Sequence, residues 1–337
     1  MEKELYFADS FPTKWIDADY QLMSREIQSL NKTVYGVIRQ KSIAPKIFPT
    51  VKIPKGMKQY IVATEVEQEA PKFDDNFMKE DLHEVRKGET TFYPVFMHTD
   101  FQLYMTDIDA SRNNSYYNTG IRALTLRGST GTIVDYKEKV MWRGYDISGR
   151  AHAATLRQGD IDSNSVGILN TTNVQTFAAG AGGDADVGDA GDGPASVAAA
   201  MAAIVPYDFY GPYDFIITPL VYSALTSNQN PTTHIHDIER MHTMIDINGS
   251  KLLRNMKVTK YLLNTAETTS TGAAVIFDRK TPAGEPTCVI GDEYPVAHYP
   301  TSQNALGIKG KVLWAGIPCV LRPYAFAQET TITQSGS

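Results

Sequence analysis

The sequence has few cysteines, no long apolar run and no excess of basic residues. Only two of its 337 residues are cysteines, Cys288 and Cys319, and both have apolar neighbours, so we expect two buried free thiols rather than a disulfide framework. No stretch approaches the roughly 18 uninterrupted apolar residues that a membrane-spanning helix needs. The N-terminus has acidic residues early and lacks the apolar run of a secretory signal. We therefore expect a soluble, intracellular protein without a membrane partner.

The balance of charge and hydrophobicity limits the function classes. The net charge of −6 argues against a general nucleic-acid-binding protein, which would show a basic surface. It allows a protein that encloses nucleic acid without gripping it, because mild repulsion keeps a packed polymer away from the wall. Hydrophobic residues make up 42% of the chain, enough for a large core, and 18 Tyr with 13 Phe favour β-structure.

Residues 178–193, "AAGAGGDADVGDAGDG", are the most unusual stretch of the chain. Calcium loops place acidic ligands at alternating positions and end on a bidentate Glu. Asp184 and Asp186 alternate, but Asp189 and Asp192 break the spacing and no Glu follows. Four carboxylates also argue against a phosphate cradle. We predict a loop, serving as a flexible link to the helix that follows; an adventitious divalent ion is the alternative.

Histidines provide the other candidate metal ligands. The stretch "HIHDIERMH" contains His234, His236 and His242, and the pairs Glu239–His242 and Glu80–His83 have the Glu-x-x-His spacing of carboxylate-bridged di-iron sites. Such sites need four converging long helices, which the sequence does not provide, so solvated or capping histidines are favoured. The segment "GIKGKV" lacks the spacing of a phosphate-binding loop, and no nucleophile elbow occurs. We predict no catalytic, cofactor-binding or metal site, and no enzyme.

The first hundred residues indicate a helix, a connector and a long β-arm. Apolar residues spaced three and four apart predict an amphipathic helix over 13–36, and the Pro- and Lys-rich residues 43–59 predict an extended connector. Two strand-like runs follow, 59–68 and 90–109, in the second of which Phe101, Leu103 and Met105 alternate with polar positions. A two-stranded arm is marginally stable alone. We therefore expect it to lie across a neighbouring subunit.

The remaining residues predict mixed helices and strands. Helical spacing occupies the second half of 121–144, where Gly128 and Gly131 weaken the first half. Pro194 begins an Ala-rich helix, "YGPYDFIITPLVYSALTS" predicts a buried strand and a short helix after Pro219, and "DIERMHTMIDING" predicts a helix that Gly249 ends. Further short strands follow. The fold class is therefore α+β, with late strands returning to a sheet begun early.

This order of elements resembles the tailed-phage major capsid proteins of the Hong Kong 97 fold and their relatives, the encapsulins. The resemblance covers most of the chain, and its most specific residues are "WRG" (142–144), "GILN" (167–170) and "GPYDFIITP" (211–219). It implies an N-terminal helix, an extended β-hairpin arm (the E-loop), a peripheral domain with a spine helix, and an axial domain. The implied segments are 1–59 (N-terminal helix and arm), 60–110 (E-loop and return strand), 111–150 (spine helix), 151–305 (axial domain) and 306–337 (return strands and tail).

The resemblance further implies self-assembly into pentamers and hexamers of an icosahedral shell that encloses double-stranded DNA. We expect portal, scaffold or decoration proteins as further partners, and a location in the virion after assembly in the host cytoplasm. A cytoplasmic encapsulin around a cargo enzyme is the alternative, and a soluble metalloenzyme is a remote one. Intramolecular core packing is the competing explanation for the aromatic residues on the arm and its return strand. The assembly candidates are Phe92, Phe96, Phe101, Trp142, Gly211, Pro212 and Tyr213.

Overall fold

The computed structural model describes residues 32, 34–38, 41–57, 59–65, 87–104, 106, 124–144, 167–245, 249–262, 271–304 and 307–334. Its helices are α1 (Ala44–Ile47), α2 (Leu124–Arg143), α3 (Asp192–Ile204), α4 (Pro219–Ser227) and α5 (Asp237–Thr243). Its strands are β1 (Thr50–Lys52), β2 (Tyr60–Glu65), β3 (Lys87–Phe92), β4 (Val95–Tyr104), β5 (Gln175–Thr176), β6 (Tyr213–Ile217), β7 (Leu253–Val258), β8 (Gly272–Phe277), β9 (Cys288–Asn304), β10 (Gly307–Val320) and β11 (Phe326–Ile332). Within these ranges, none of the helices combines the length and hydropathy that a bilayer crossing requires.

A four-stranded sheet has the order β1–β9–β10–β4. Strand β1 runs parallel to β9, and the other pairs are antiparallel. In β4, Phe101 and Leu103 are buried, Gln102 is half-buried and Tyr104 is exposed, which confirms the predicted alternation. Helix α2 contacts β4 and β10 and covers the sheet on that face. The period of two along β4 therefore separates a covered face from an open one.

A five-stranded sheet has the order β5–β11–β8–β6–β7. Every residue of β6 and β8 is buried, as expected for central strands covered on both faces. Helix α3 contacts β11 and β8, and α4 contacts β8. Pro219 is the first residue of α4, as the sequence predicts. The buried strand followed by a short helix in "GPYDFIITPLVYSAL" is thus confirmed.

An aromatic cluster joins the two sheets into one hydrophobic core. Phe48, just after α1, has its ring centroid 5.1 Å from that of Phe277 on β8 and 6.1 Å from that of Trp142 on α2. Phe277 also stacks on Phe326 of β11, with centroids 5.1 Å apart. Both thiols are buried and free, as predicted, and burial raises the pKa of Cys319 to about 12. An un-ionised, inaccessible thiol is chemically inert.

Three predicted boundaries differ from the structure. Helix α2 continues through Gly128 and Gly131, because its packing on β4 and β10 outweighs the low helix propensity of glycine. Helix α5 ends at Thr243, well before Gly249. Strand β3 ends at Phe92 and β4 begins at Val95, so the predicted run from 90 to 109 is broken at Pro94, which cannot donate a ladder hydrogen bond.

The chain returns to the four-stranded sheet earlier than the sequence predicts. Strand β9 begins at Cys288 and already belongs to the four-stranded sheet, whereas the sequence places the return at residue 306. Strand β11, expected among the return strands, pairs with β8 and β5 of the other sheet. The division of the chain into five segments stays a prediction. Of the predicted helix at 13–36, only residues 32 and 34–36 are described; the rest lies outside the described residues.

Candidate assembly site

Strands β2 and β3 form a two-stranded ribbon, and Tyr60 and Val62 of β2 pack against the core. The ribbon is antiparallel, with register from Tyr60 opposite Phe92 to Glu65 opposite Lys87, and within the described residues neither strand pairs with a third. At its base Phe92 is buried and Tyr60 packs against the core, while the next residue, Ile61, is 53% exposed. At about 3.4 Å per residue, the far end of the ribbon lies roughly 17 Å from its base. The ribbon thus presents two strand edges to whatever lies beside it.

The three phenylalanines predicted for assembly have different environments. Phe92 and Phe101 are buried within the subunit, and Phe101 fills the space over Gly310, where an added Cβ would lie 2.4 Å from its Cζ. Phe96 is half-buried on the open face of the sheet, edge-on to Tyr294 with centroids 6.3 Å apart. Phe96 is therefore the one of the three best placed to contact a neighbour. Their role between subunits stays a prediction.

Trp142 is fully buried in α2. It takes part in a hydrogen-bonded group that anchors the start of the connector (residues 43–59) on this helix. Its indole Nε1 donates to Glu138 Oε2 at 3.3 Å. The Glu138 carboxylate also accepts from Ser42 Oγ at 2.8 Å and from the backbone N–H of Ile43 at 2.9 Å. Burial raises the pKa of Glu138, while these hydrogen bonds oppose the rise by stabilising the charged form. The arrangement fixes the connector at one place on the helix.

The "WRG" and "GILN" motifs meet at the end of α2. An added Cβ on Gly167 would lie 2.1 Å from the backbone nitrogen of Gly144, so only glycine permits this approach. The Arg143 guanidinium donates to the carbonyl of Leu262, and burial lowers the pKa of Arg143 to about 10. Asn170 Nδ2 donates to the Arg143 carbonyl. The two motifs are therefore one junction between α2 and the five-stranded sheet.

The "GPY" residues form the turn that enters β6. Gly211 has φ +84°, in the left-handed region that favours glycine, and its peptide bond to Pro212 is cis. The Gly211 N–H donates to Asp278 Oδ2 at 3.0 Å. Tyr213 is fully buried and its hydroxyl donates to the Phe209 carbonyl at 2.6 Å; burial raises its pKa. The turn is held by its own subunit, and its part in assembly stays a prediction.

A buried carboxylate follows directly, at Asp214 on β6. Arg279 Nη2 donates to Asp214 Oδ1 at 2.7 Å, and Arg254 Nη1 lies 3.6 Å from Oδ2. Asn255 Nδ2 donates to Oδ1 at 2.9 Å. A buried charge is tolerated when partners satisfy it in this way. The cluster links β6 to β7 and to the loop after β8, and it needs no ligand to do so.

The Gly/Asp-rich segment 178–193 is a loop up to Gly191, but the expectation of a flexible link is wrong. Asp192, the first residue of α3, accepts the N–H of Ala181 at 2.9 Å and the N–H of Asp189 at 2.7 Å. Asp237 Oδ2 accepts the N–H of Gly191 at 2.8 Å. The carboxylates satisfy backbone donors that a Gly-rich turn and a helix start would otherwise leave open. The aspartates therefore fold this loop.

Of the two Glu-x-x-His pairs, Glu239–His242 lies in the part of the chain that the structure describes. Among the described residues, no group of three or more His, Cys, Asp or Glu side chains is placed to hold a metal ion. His236 is the N-cap residue of α5, and Glu239 with His242 lies on this helix of seven residues. The Glu80–His83 pair lies outside the described residues.

One interaction that sequence reasoning missed joins α2 to the four-stranded sheet. Lys137 is buried, its Nζ lies 3.2 Å from Asp292 Oδ1, and it sits 5.0 Å above the Trp314 ring. Trp314 Nε1 also donates to Asp292 Oδ1, at 2.8 Å. The sequence does indicate a buried charge here, because Lys137 and Glu138 fall between Val134 and Met141 on the apolar stripe of the helix.

Comparison with known proteins defines the fold. No protein-family model and no curated protein matches the chain. A virus-like particle from Pyrococcus furiosus is 14% identical, with a TM-score of 0.55 over 89% of this chain and 98% of that chain. The capsid of Myoviridae phage XM1 is 8% identical, with a TM-score of 0.58 over 86% and 92%. The capsid of a native GTA particle is 9% identical, with a TM-score of 0.52 over 97% and 96%.

These similarities agree with the topology. The chain has the α+β Hong Kong 97-type capsid fold. Likeness at such low identity establishes fold alone, and a fold can carry more than one function. Function has to be argued from the surfaces that this subunit leaves open.

Proposed function

We propose that the chain is the major capsid protein of a tailed virus, and that its copies assemble into a closed icosahedral shell around double-stranded DNA. The observation that carries this proposal is the β2–β3 ribbon, which belongs to a chain of capsid fold and pairs with no third strand among the described residues. Two unpaired strand edges invite pairing with another chain. In this role the protein is structural and needs no catalytic residue.

Closed symmetry explains how every ribbon finds a partner. When the ribbon of one copy crosses the next copy, the contact is head-to-tail, and such contacts close into rings when the rotation allows. Pentamers and hexamers are the rings of an icosahedral shell. Phe96, half-exposed on the open sheet face, is the direct contact among the assembly candidates. Phe92, Phe101, Trp142, Gly211, Pro212 and Tyr213 hold the contacting surfaces in shape from within the subunit.

The net charge of −6 suits a wall that encloses DNA without binding its sequence. Filling such a shell calls for partners that the chain does not supply, and we expect portal, scaffold or decoration proteins among them. The location is then the virion, with assembly in the host cytoplasm.

The test is the mass and diameter of the purified recombinant protein, from sedimentation and electron microscopy of the same fraction. Uniform megadalton hollow particles support the proposal, and the absence of such particles both from this preparation and from producing cells contradicts it. Particles isolated from producing cells are then opened. Nuclease-protected double-stranded DNA of uniform length supports a viral capsid, whereas a stoichiometric protein cargo indicates a nanocompartment instead.

A further inference from the structure

The two edge strands of the five-stranded sheet lie in regions of opposite charge. Residues 167–239, which include β5, contain seven Asp, one Glu and no Lys or Arg. Residues 249–262, which include β7, contain four Lys or Arg and no Asp or Glu. Because the sheet order is β5–β11–β8–β6–β7, the acidic region supplies one edge and the basic region the other. A sheet with edges of opposite charge is complementary to another copy of itself.

The basic edge consists of β7 and the exposed cations on and beside it, which are Lys251, Arg254, Lys257 and Lys260. Among the described strands, β7 pairs only with β6, so its outer side has no strand partner there. Arg254 Nη1 lies 3.6 Å from Asp214 Oδ2. None of the ion pairs among the described residues includes any of the three lysines. The lysines therefore leave a net positive charge at this edge.

The acidic edge consists of β5 and the Gly/Asp-rich loop (residues 178–191). Strand β5 pairs in parallel with β11, and a further parallel bridge joins Asp186 to Thr333, just past the end of β11. Backbone groups along a strand point to its two sides alternately. Because Ile332 pairs with β8, the next residue, Thr333, faces the β5 side, where its carbonyl accepts the N–H of Val187 at 3.1 Å. The loop therefore continues the edge that β5 begins.

The loop keeps exposed negative charge after it has folded. Asp184 and Asp189 are exposed, and residues 178–191 contain no Lys or Arg. Asp184 Oδ1 accepts the N–H of Asp186 at 3.1 Å, and Asp186 Oδ1 accepts the N–H of Gly188 at 2.9 Å. A backbone N–H carries no net charge, so these bonds shape the loop without neutralising its carboxylates.

The two edges of one copy cannot reach each other. Four strand spacings of about 4.8 Å separate β5 from β7, which amounts to roughly 19 Å. In physiological salt, exposed charges are screened over a Debye length of about 8 Å. Attraction between the edges therefore acts between copies. A contact between opposite edges is head-to-tail, and such contacts produce closed rings when the rotation between copies is suitable.

We propose that the basic edge of one copy docks against the acidic edge of the next copy within each ring of the shell. This inference rests on the proposed function and names the two surfaces that form the ring contact. One alternative role for the lysines is to guard an exposed strand edge against uncontrolled pairing, which charge of either sign achieves. Another is contact with the enclosed DNA, which would affect the DNA content of the particles and not the ring.

The first test is charge reversal with rescue. Lys251→Glu/Lys257→Glu reverses the basic edge and still leaves it charged, and Asp184→Lys/Asp189→Lys reverses the acidic edge. Each double variant should raise the protein concentration needed for particle formation at least about fivefold, as the loss of weak ion pairs at every contact implies. The two doubles combined should return this concentration to within about twofold of wild type.

Two further variants control for folding and for total charge. Asp184→Asn/Asp189→Asn removes the charge but keeps a side-chain oxygen that accepts the loop hydrogen bonds, so it should give a smaller rise in the same direction. Lys52→Glu/Lys280→Glu makes the same charge change as the basic-edge variant at exposed lysines on β1 and in the loop after β8. It should stay within about twofold of wild type.

Disulfide trapping tests the head-to-tail geometry itself. A chain that carries both Asp184→Cys and Lys257→Cys is oxidised in assembled particles, and denaturing electrophoresis should show a covalent ladder that ends at five and six copies. The two new cysteines of one copy lie on opposite edges, too far apart for a disulfide between them. The native thiols do not compete because both are buried. Replacing Lys257→Cys by Lys280→Cys should abolish the ladder.

The outcomes separate the two proposals. If particles form but reversal has no effect, or reversal is not rescued and no ladder appears, the docking inference is overturned and the capsid proposal stands. A ladder that ends at two copies overturns it as well, because it indicates a symmetric contact. Basic-edge variants that form particles normally but hold less DNA would assign the lysines to DNA instead. If wild-type protein forms no particles in the preparation or in producing cells, both proposals fail.

Discussion

The five-stranded sheet and the β2–β3 ribbon are both β-structure, but their own chain covers them very differently. Every residue of β6 and β8 is buried, and the charge on Asp214 is satisfied by two arginines and an asparagine. In the ribbon, Ile61 is 53% exposed and, within the described residues, no third strand joins the pair. The centre of the sheet is complete within one copy. In the proposed shell, the ribbon acquires its complement when copies meet.

The difference separates the residues that fold the subunit from those that assemble it. Variants in the buried core of the body should change stability, whereas variants in the arm should change assembly and leave stability alone. Four predictions test this separation, beginning with the largest effect.

Replacing residues 67–89 with a short Gly/Ser linker should abolish closed particles. The body should remain folded, because the core found among the described residues is built from residues outside this segment. Sedimentation measures the loss of particles, and urea denaturation measures the stability of the released subunits. Full-size shells from this deletion would show that the arm has no role in closure.

Trp142→Ala should lower the free energy of unfolding by about 3–5 kcal/mol, because it empties a fully buried indole site beside Phe48. Urea denaturation of unassembled subunits provides the measurement. Tyr222→Ala, at an exposed position on α4, is the control and should stay within about 0.5 kcal/mol. A loss below about 1 kcal/mol for Trp142→Ala would mean that this core is not what holds the body together.

His298, on β9, makes the body sensitive to acid. It is buried next to Phe101, and burial lowers its pKa from the ordinary value of 6.5 to about 4. Between these pH values the unfolded chain binds a proton and the folded chain does not, so stability falls as the pH falls from 6.5 to 4. The loss amounts to roughly 3 kcal/mol. In His298→Gln, this part of the pH dependence of the free energy of unfolding, measured with urea, should vanish. An unchanged dependence between pH 6.5 and pH 4 would mean that another group causes it.

Ser42→Ala should have the smallest effect, about 1.5 kcal/mol, as it removes one hydrogen bond to the buried Glu138 carboxylate. The backbone N–H groups of Ile43 and Ala44 still satisfy that carboxylate. Thr226→Ala, which removes an exposed hydroxyl, is the control. Faster hydrogen exchange at Ile43 and Ala44 should accompany the loss, and unaltered exchange there would contradict the anchoring of the connector by Glu138.

Local pattern was enough to predict much of the fold. The period of two in β4, the buried strand before Pro219 and the Ala-rich helix after the Gly/Asp loop all follow from rules that act over a few residues. The continuation of α2 through Gly131 does not, because the helix is held by its packing on β4 and β10, which lie far from it in sequence. Propensity yields to tertiary packing at such sites.

The candidate site was harder to predict because partners distant in sequence define it. Trp142 donates to Glu138, whose carboxylate also holds Ser42, 96 positions earlier. Gly167 leaves room for the backbone of Gly144. Composition indicated that the Gly/Asp segment is a loop, yet the role of Asp237 in holding it depends on α5, more than 40 residues later.

Hydrogen–deuterium exchange on the β2–β3 ribbon tests the central claim most directly. Amides of residues 60–65 and 87–92 are followed in assembled particles and in dissociated subunits, with β6 and β8 as internal references. We predict strong protection of the ribbon in particles only, and equal protection of β6 and β8 in both states. Equal protection of the ribbon in subunits and particles would contradict the claim that its complement is a neighbouring copy.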